Sequence, residues 1–130
     1  TASAGTSTAG ILFGGQGPPP AMQTVTETWN GTNWTETGDL NTGRYLLAGS
    51  GSTTAALAFG GNLDPGNSAL AESFNGTNWT ETSDMGTARY FLAGCGTNTA
   101  ALAIGGYTNT AVSSVEEFND PSIITKTLTS

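Results

Sequence analysis

The sequence has no histidine, a single cysteine, and three basic side chains against ten acidic ones in 130 residues. With no histidine and only Cys95, zinc and copper sites of the usual kinds lack ligands, and no cofactor is expected. Arg44, Arg89 and Lys126 are too few to neutralise nucleic-acid phosphates or an anionic lipid surface, and the net charge of −7 repels both. No run approaches the about 18 apolar residues of a membrane-spanning helix, so no membrane insertion is expected. Charged residues make up only 10% and hydrophobic ones 36%. Disorder usually joins such a low apolar content to high charge and no apolar periodicity. The chain begins at Thr1 rather than Met and shows no signal peptide, so a processed or incomplete product is the expectation.

Apolar periodicity is present, as a repeat. An apolar stretch ends in a double glycine at Gly14-Gly15, Gly60-Gly61 and Gly105-Gly106. Trp34 and Trp79, Arg44 and Arg89, and Gly60 and Gly105 are each 45 residues apart, while Gly14 and Gly60 are 46 apart. Residues Asn30–Thr37 recur unchanged as Asn75–Thr82. Equal spacing at many positions signals a repeat architecture, and register-keeping apolar residues argue against simple low complexity. One domain over 1–130 is expected, with units near 1–44, 45–89 and 90–130.

Each unit reads as four short antiparallel strands, about twelve in all. In the middle unit these are Tyr45–Gly51, Thr54–Gly60, Ala69–Phe74 and Trp79–Thr82. The second is apolar at successive positions, as in a strand covered on both faces. Asn75-Gly76 is a hairpin turn signal. Trp34, Trp79, Leu57, Phe59, Leu102 and Ile104 are the expected core. Cys95 aligns with Ser50 and reads as a small buried strand residue. In the third unit Ile123 takes the tryptophan position and Asp120-Pro121 replaces Gly-Thr, which suggests a looser outer strand.

The order Trp, Met, Arg, small-residue strand, apolar strand, Gly-Gly, then Ser114–Asn119, resembles the kelch repeat. Gly60-Gly61, Glu72, Phe74, Trp79 and Arg89 match that family's double glycine, glutamate, aromatic, tryptophan and arginine. The repeat is a few residues shorter than usual for kelch, and Phe or Trp replaces the usual tyrosine. A WD-type propeller is less close, because its Gly-His and Trp-Asp markers are missing. The resemblance implies an all-β fold of kelch-like β-propeller blades. Three such blades are half of a six-bladed ring or part of a longer propeller. Self-association, or pairing with further repeats, would cover the apolar end faces. The copper sites of kelch-like oxidases cannot be carried over, since their histidines are missing. The Thr-, Gly- and Asn-rich wording is also similar to repeats of bacteriophage virion proteins, such as tail fibres or appendages, particularly from marine phages.

Glu27, Glu72 and Glu116 share one repeat position, and Arg44 and Arg89 another. A repeated anion or sugar site is one reading. A structural pair tying a third strand to the start of the next unit is the preferred one, with Glu72 near Arg89 or backbone. Asp39 and Asp84 also recur. Paired carboxylates suit glycoside hydrolysis, but these stand one repeat apart and read as turn residues bonding local amides. The loop Asn62–Asn67 carries one acid and does not match a calcium loop. Asn30, Asn33, Asn75 and Asn78 each sit in Asn-X-Thr, a glycan acceptor pattern that reads more simply as turn chemistry.

The connections between second and third strands differ most among the units: Gln16–Ala21, Asn62–Ser68 and Tyr107–Ala111. With Asp39–Gly43 and Asp84–Ala88 they are expected to share one face, the default binding surface. Gln16, Asn62, Asp64, Asn67, Tyr107, Asn109, Asp39 and Asp84 are its candidate residues. The expected function is a non-enzymatic structural or recognition module of a virion appendage or other extracellular assembly, with a protein or glycan as ligand. A lectin-like propeller is the second reading. A propeller glycosidase comes last, for want of a catalytic constellation.

Overall fold

The computed structural model describes residues 1–119 and the backbone of strand 122–127. Asp120-Pro121 and the side chain of Ile123, where the looser outer strand was expected, lie outside the described residues.

Fourteen strands and no helix make up the described chain. The first unit holds β1 (Ala2–Thr6), β2 (Ala9–Phe13), β3 (Gln16–Gly17), β4 (Ala21–Met22), β5 (Thr26–Trp29) and β6 (Trp34–Glu36). The second holds β7 (Ala48–Ser52), β8 (Ala55–Phe59), β9 (Ala71–Phe74) and β10 (Trp79–Glu81). The third holds β11 (Ala93–Gly96), β12 (Ala100–Ile104), β13 (Ser114–Asn119) and β14 (Ser122–Thr127). Each unit builds one four-stranded antiparallel sheet from its own strands, ordered β1-β2-β5-β6, β7-β8-β9-β10 and β11-β12-β13-β14. The hairpin β3-β4 is an addition to the twelve strands expected. It fills the connection that carries three successive prolines. No described sheet closes into a barrel.

Register repeats with the sequence. Ala2 pairs with Phe13, Ala48 with Phe59 and Ala93 with Ile104. β7 begins at Ala48 rather than Tyr45 because Leu46 stands at φ 56°, a left-handed backbone that cannot extend. Phe91, its repeat counterpart, has φ 55°. The Asn-Gly turns form as the sequence suggests. The Asn75 Oδ1 accepts from the amides of Thr77 and Asn78 at 2.9 and 2.8 Å, and Asn30 does the same for Thr32 and Asn33.

The sheets stack face to face, with β7 packed against β1 on one side and β11 on the other. The successive apolar residues of β8 divide between two interfaces. Ala56 and Ala58 join Ile11, Phe13, Leu40, Phe74 and Trp79 in a core between the first and second sheets. Leu57 and Phe59 join Met85, Leu92, Ala101, Ala103 and Phe118 between the second and third. Phe13 lands on Gly49, and Phe59 on Gly94, where any Cβ would collide with the ring. The glycines in these first strands therefore serve close packing.

Stacking also explains where burial departs from expectation. Trp79 is 5% exposed, wedged against Phe13 and Phe74 with ring centroids 4.9 and 5.0 Å away. Its indole N–H donates to the buried Thr26 hydroxyl at 2.9 Å. Trp34, expected in the core, is 46% exposed and touches the ring of its own sheet's Trp29. Leu102, expected buried, is exposed, and Ile104 is only half-buried. Cys95 is likewise exposed, whereas Ser50 is buried and donates to the Thr97 carbonyl. Each misplaced residue points away from the three-sheet stack, where no described sheet covers it.

Candidate functional site

The charged repeat residues form two fully buried ion pairs. Arg44 meets Glu72 at 3.1 Å, and Arg89 meets Glu116 at 3.0 Å. The pairing corrects the expected Glu72–Arg89 partnership by one unit. The chain leaving a fourth strand runs back over the following sheet, so each arginine enters the sheet that comes after it. The predicted backbone contact of Glu72 does exist. Its Oε1 accepts from the Asn41 amide at 2.7 Å and from the Asn41 side chain at 2.9 Å. The corresponding oxygen of Glu116 accepts from the Gly86 amide.

Arg89 is the better satisfied of the two, with only its Nε unpartnered among the described residues, whereas Arg44 leaves both Nε and Nη1 without a partner there. The Arg89 Nη1 donates to the carbonyls of Gly105 and Ser114 at 2.8 and 2.6 Å, and Nη2 to Ala103 at 3.3 Å. Burial pushes the Arg44 pKa down, opposed by the carboxylate of Glu72 and then by Asp84 and Glu81. The arginine backbone faces the other way. The Gly15 amide donates to the Arg44 carbonyl at 2.8 Å, and the Gly61 amide to Arg89 at 2.9 Å. Gly60 and Gly61, at φ 69° and 106°, make the turn that permits this approach. Each arginine thus joins two units, by its carbonyl to one and its guanidinium to the next. These pairs are buried clamps, and no face for a ligand remains on them. Glu27 has no such partner among the described residues.

Antiparallel connectivity puts the Gly-Gly turns and the variable connections at one end of the sheets. The structure brings some of the predicted loop residues together there. Asn62 Oδ1 accepts from the Asp64 amide at 2.8 Å, and Asn62 and Asn67 carboxamides meet at 3.4 Å. Asn67 donates across to the Thr108 carbonyl at 2.5 Å, joining the second and third loops. Tyr107 packs against Tyr90 with ring centroids 5.5 Å apart. Gln16 and Asn109 are exposed without a contact to this group. Asp39 accepts from the Thr24 hydroxyl at 3.4 Å rather than from a local amide, and Asp84 is exposed.

Two features escaped the sequence. Phe91 is 67% exposed, with its ring 5.3 Å from Tyr90, so Tyr90, Phe91 and Tyr107 form an aromatic group beside the Asn67 bridge. Its unusual backbone, shared with Leu46, gave no sequence signal. At the opposite end, Thr8, Thr28, Trp29, Thr53, Thr54 and Gly76 line an open cleft of ≈440 Å³ between the first two sheets. Its walls are residues from four different turns and strands, which adjoin only once the sheets stack. No three His, Cys, Asp or Glu side chains come together as a metal group among the described residues.

No protein-family model matches this chain, and no curated protein sequence matches it. Its likeness is to solved structures. The structure of YjhT superposes over 96% of this chain with a TM-score of 0.76 and 15% sequence identity. This chain spans 43% of that one. At such identity the likeness is one of fold.

Proposed function

We propose that the chain is a non-enzymatic recognition module made of three kelch-like β-propeller blades, acting in a virion appendage or another extracellular assembly. The aromatic group of Tyr90, Phe91 and Tyr107 carries this reading. Phe91 and Tyr107 are exposed on loops held by buried ion pairs and stacked sheets, and rigid support is what recognition loops need. A protein ligand is the first choice, since exposed aromatics beside polar carboxamides are typical anchors of protein interfaces. A glycan is the second, because the same aromatic faces beside the Asn67 carboxamide suit a sugar ring. A glycan array, with pull-down from a host-surface extract, tests both. Phe91→Ala with Tyr107→Ala should abolish whichever binding is seen while leaving the thermal midpoint within a few degrees. Binding unaffected by that double change would remove the loop face from consideration.

Further blades complete the reading. A second copy is the simplest source, two sets of three making a six-bladed ring about a twofold axis. Size matching supports it. Ser3 occupies the position of Gly49 and Gly94, and Ile104 the position of Phe13 and Phe59. Where the first unit has a side chain instead of glycine, the third offers a smaller residue than phenylalanine. Light scattering on the 130-residue chain should give a dimer or larger. A folded monomer with all tryptophans shielded would contradict this.

A further inference from the structure

The first sheet has an open pocket where the other two sheets hold an arginine. Leu12, Gly14, Val25 and Glu27, together with Thr1, Phe13 and Gln23, line this pocket of ≈160 Å³. The first four stand at the repeat positions of Ala103, Gly105, Ser114 and Glu116, the four groups that bind the Arg89 guanidinium. Register agrees, with Leu12 opposite Glu27, Ala58 opposite Glu72 and Ala103 opposite Glu116. The Gly14 amide donates to Val25, as the Gly60 amide does to Leu70 and the Gly105 amide to Ser114. The same backbone positions and carboxylate therefore recur three times. Arg89 engages all four groups. Arg44 engages the Ala58 carbonyl at 3.5 Å and Glu72, with its Nη1 unpartnered among the described residues. The first sheet's set is open.

The frame selects its occupant. Its four repeat positions present carbonyls and a carboxylate, all acceptors, and Thr1 and Gln23 line the pocket beside them. A guanidinium carries five donors and no acceptor, whereas an ammonium is a compact point charge. Liquid water takes about 30 Å³ per molecule, so the pocket has room for a planar cation. The geometry points to a guanidinium-binding site at Glu27, taking the arginine of a further repeat unit stacked on the first sheet. This rests on the stacking of further blades proposed above, with the blade on the first sheet coming from a repeat other than a second copy of these residues, whose Arg44 and Arg89 are already paired. The incoming segment would also supply the backbone amide that Asn41 gives Glu72 and Gly86 gives Glu116. The same unit would cover Trp34 and Val25, both exposed on this sheet.

An extended chain tests the site. A copy of residues 45–91, carrying Phe59→Ile to suit Ser3, is joined ahead of Thr1 so that its arginine falls three residues before Thr1. Acrylamide quenching of Trp34 reports stacking, and the thermal midpoint reports the site. Glu27→Gln should lower the midpoint at least threefold more in the extended chain than in the unaltered one. Changing the added arginine to methionine should erase that difference. If Trp34 becomes shielded but Glu27→Gln acts equally in both chains, stacking stands and the guanidinium site is overturned. If Trp34 stays accessible, stacking fails and titration of the unaltered chain with N-acetyl-arginine amide decides the site. Saturable NMR shifts at Leu12, Gly14, Val25 and Glu27, at least tenfold weaker with the lysine analogue and lost in Glu27→Gln, would sustain it. No saturable shift, or equal shifts with lysine, would overturn it.

Discussion

Trp34 and Trp79 lie within the same eight-residue sequence, in the same strand of the same kind of sheet, yet one is 46% and the other 5% exposed. Their hairpins and Asx-type turns are alike, so local sequence cannot explain the difference. Trp79 has a neighbouring sheet on the side its ring faces, with Phe13 and Thr26 waiting, and Trp34 has none. In a stack of repeats, a residue's burial belongs to the interface between units as much as to the unit itself. The same contrast separates Leu57 from Leu102, Ser50 from Cys95, and Glu72 and Glu116 from Glu27.

Substitutions at matched positions can break or sharpen this contrast, each read by denaturant unfolding. The largest loss should follow Arg89→Met, which leaves the Glu116 carboxylate buried without its cation, at about 3–5 kcal/mol. Glu27→Gln, at the open counterpart, should stay within about 0.5 kcal/mol. Trp79→Ala should also cost about 3–5 kcal/mol, as other large aromatic truncations do. Trp34→Ala should cost less than about 1 kcal/mol, and comparable losses would mean that both rings are stacked. Ser50→Ala removes one inter-sheet hydrogen bond and should cost about 1 kcal/mol. Cys95→Ser, at the same repeat position on the open side, should be neutral within about 0.5 kcal/mol. The smallest contrast is an expected equality. Asn30→Ala and Asn75→Ala disrupt the same turn and should differ by less than about 0.5 kcal/mol. A larger difference would show that neighbours reach even the hairpin turns.

The units and their strands were legible because hydrogen bonding and turn chemistry are local. Asn75-Gly76 makes its own turn, and Ala55–Phe59 is apolar on both faces wherever it sits. Partner choice was not legible in the same way. The period says that Arg44 and Glu72 recur, but not whether an arginine reaches forward or back, which depends on the path of the connection across the next sheet. Burial of Trp34, Leu102, Ile104 and Cys95 was misjudged because the repeat treats end units as middle ones. Among candidate site residues, the Asn62–Asn67 loop and Tyr107 do adjoin. Phe91 was missed because its exposure follows from a left-handed backbone that no turn residue announces. The threonine-lined cleft was missed because it forms between sheets.

Hydrogen exchange of the three indole N–H groups, followed by NMR in the unaltered chain at high dilution, tests the neighbour rule most directly. The Trp79 indole is bonded to buried Thr26 between two sheets, and it should exchange at least a hundredfold more slowly than that of Trp34. Equal rates for Trp34 and Trp79 would contradict the claim that a stacked neighbour, and not the local sequence, buries the tryptophan.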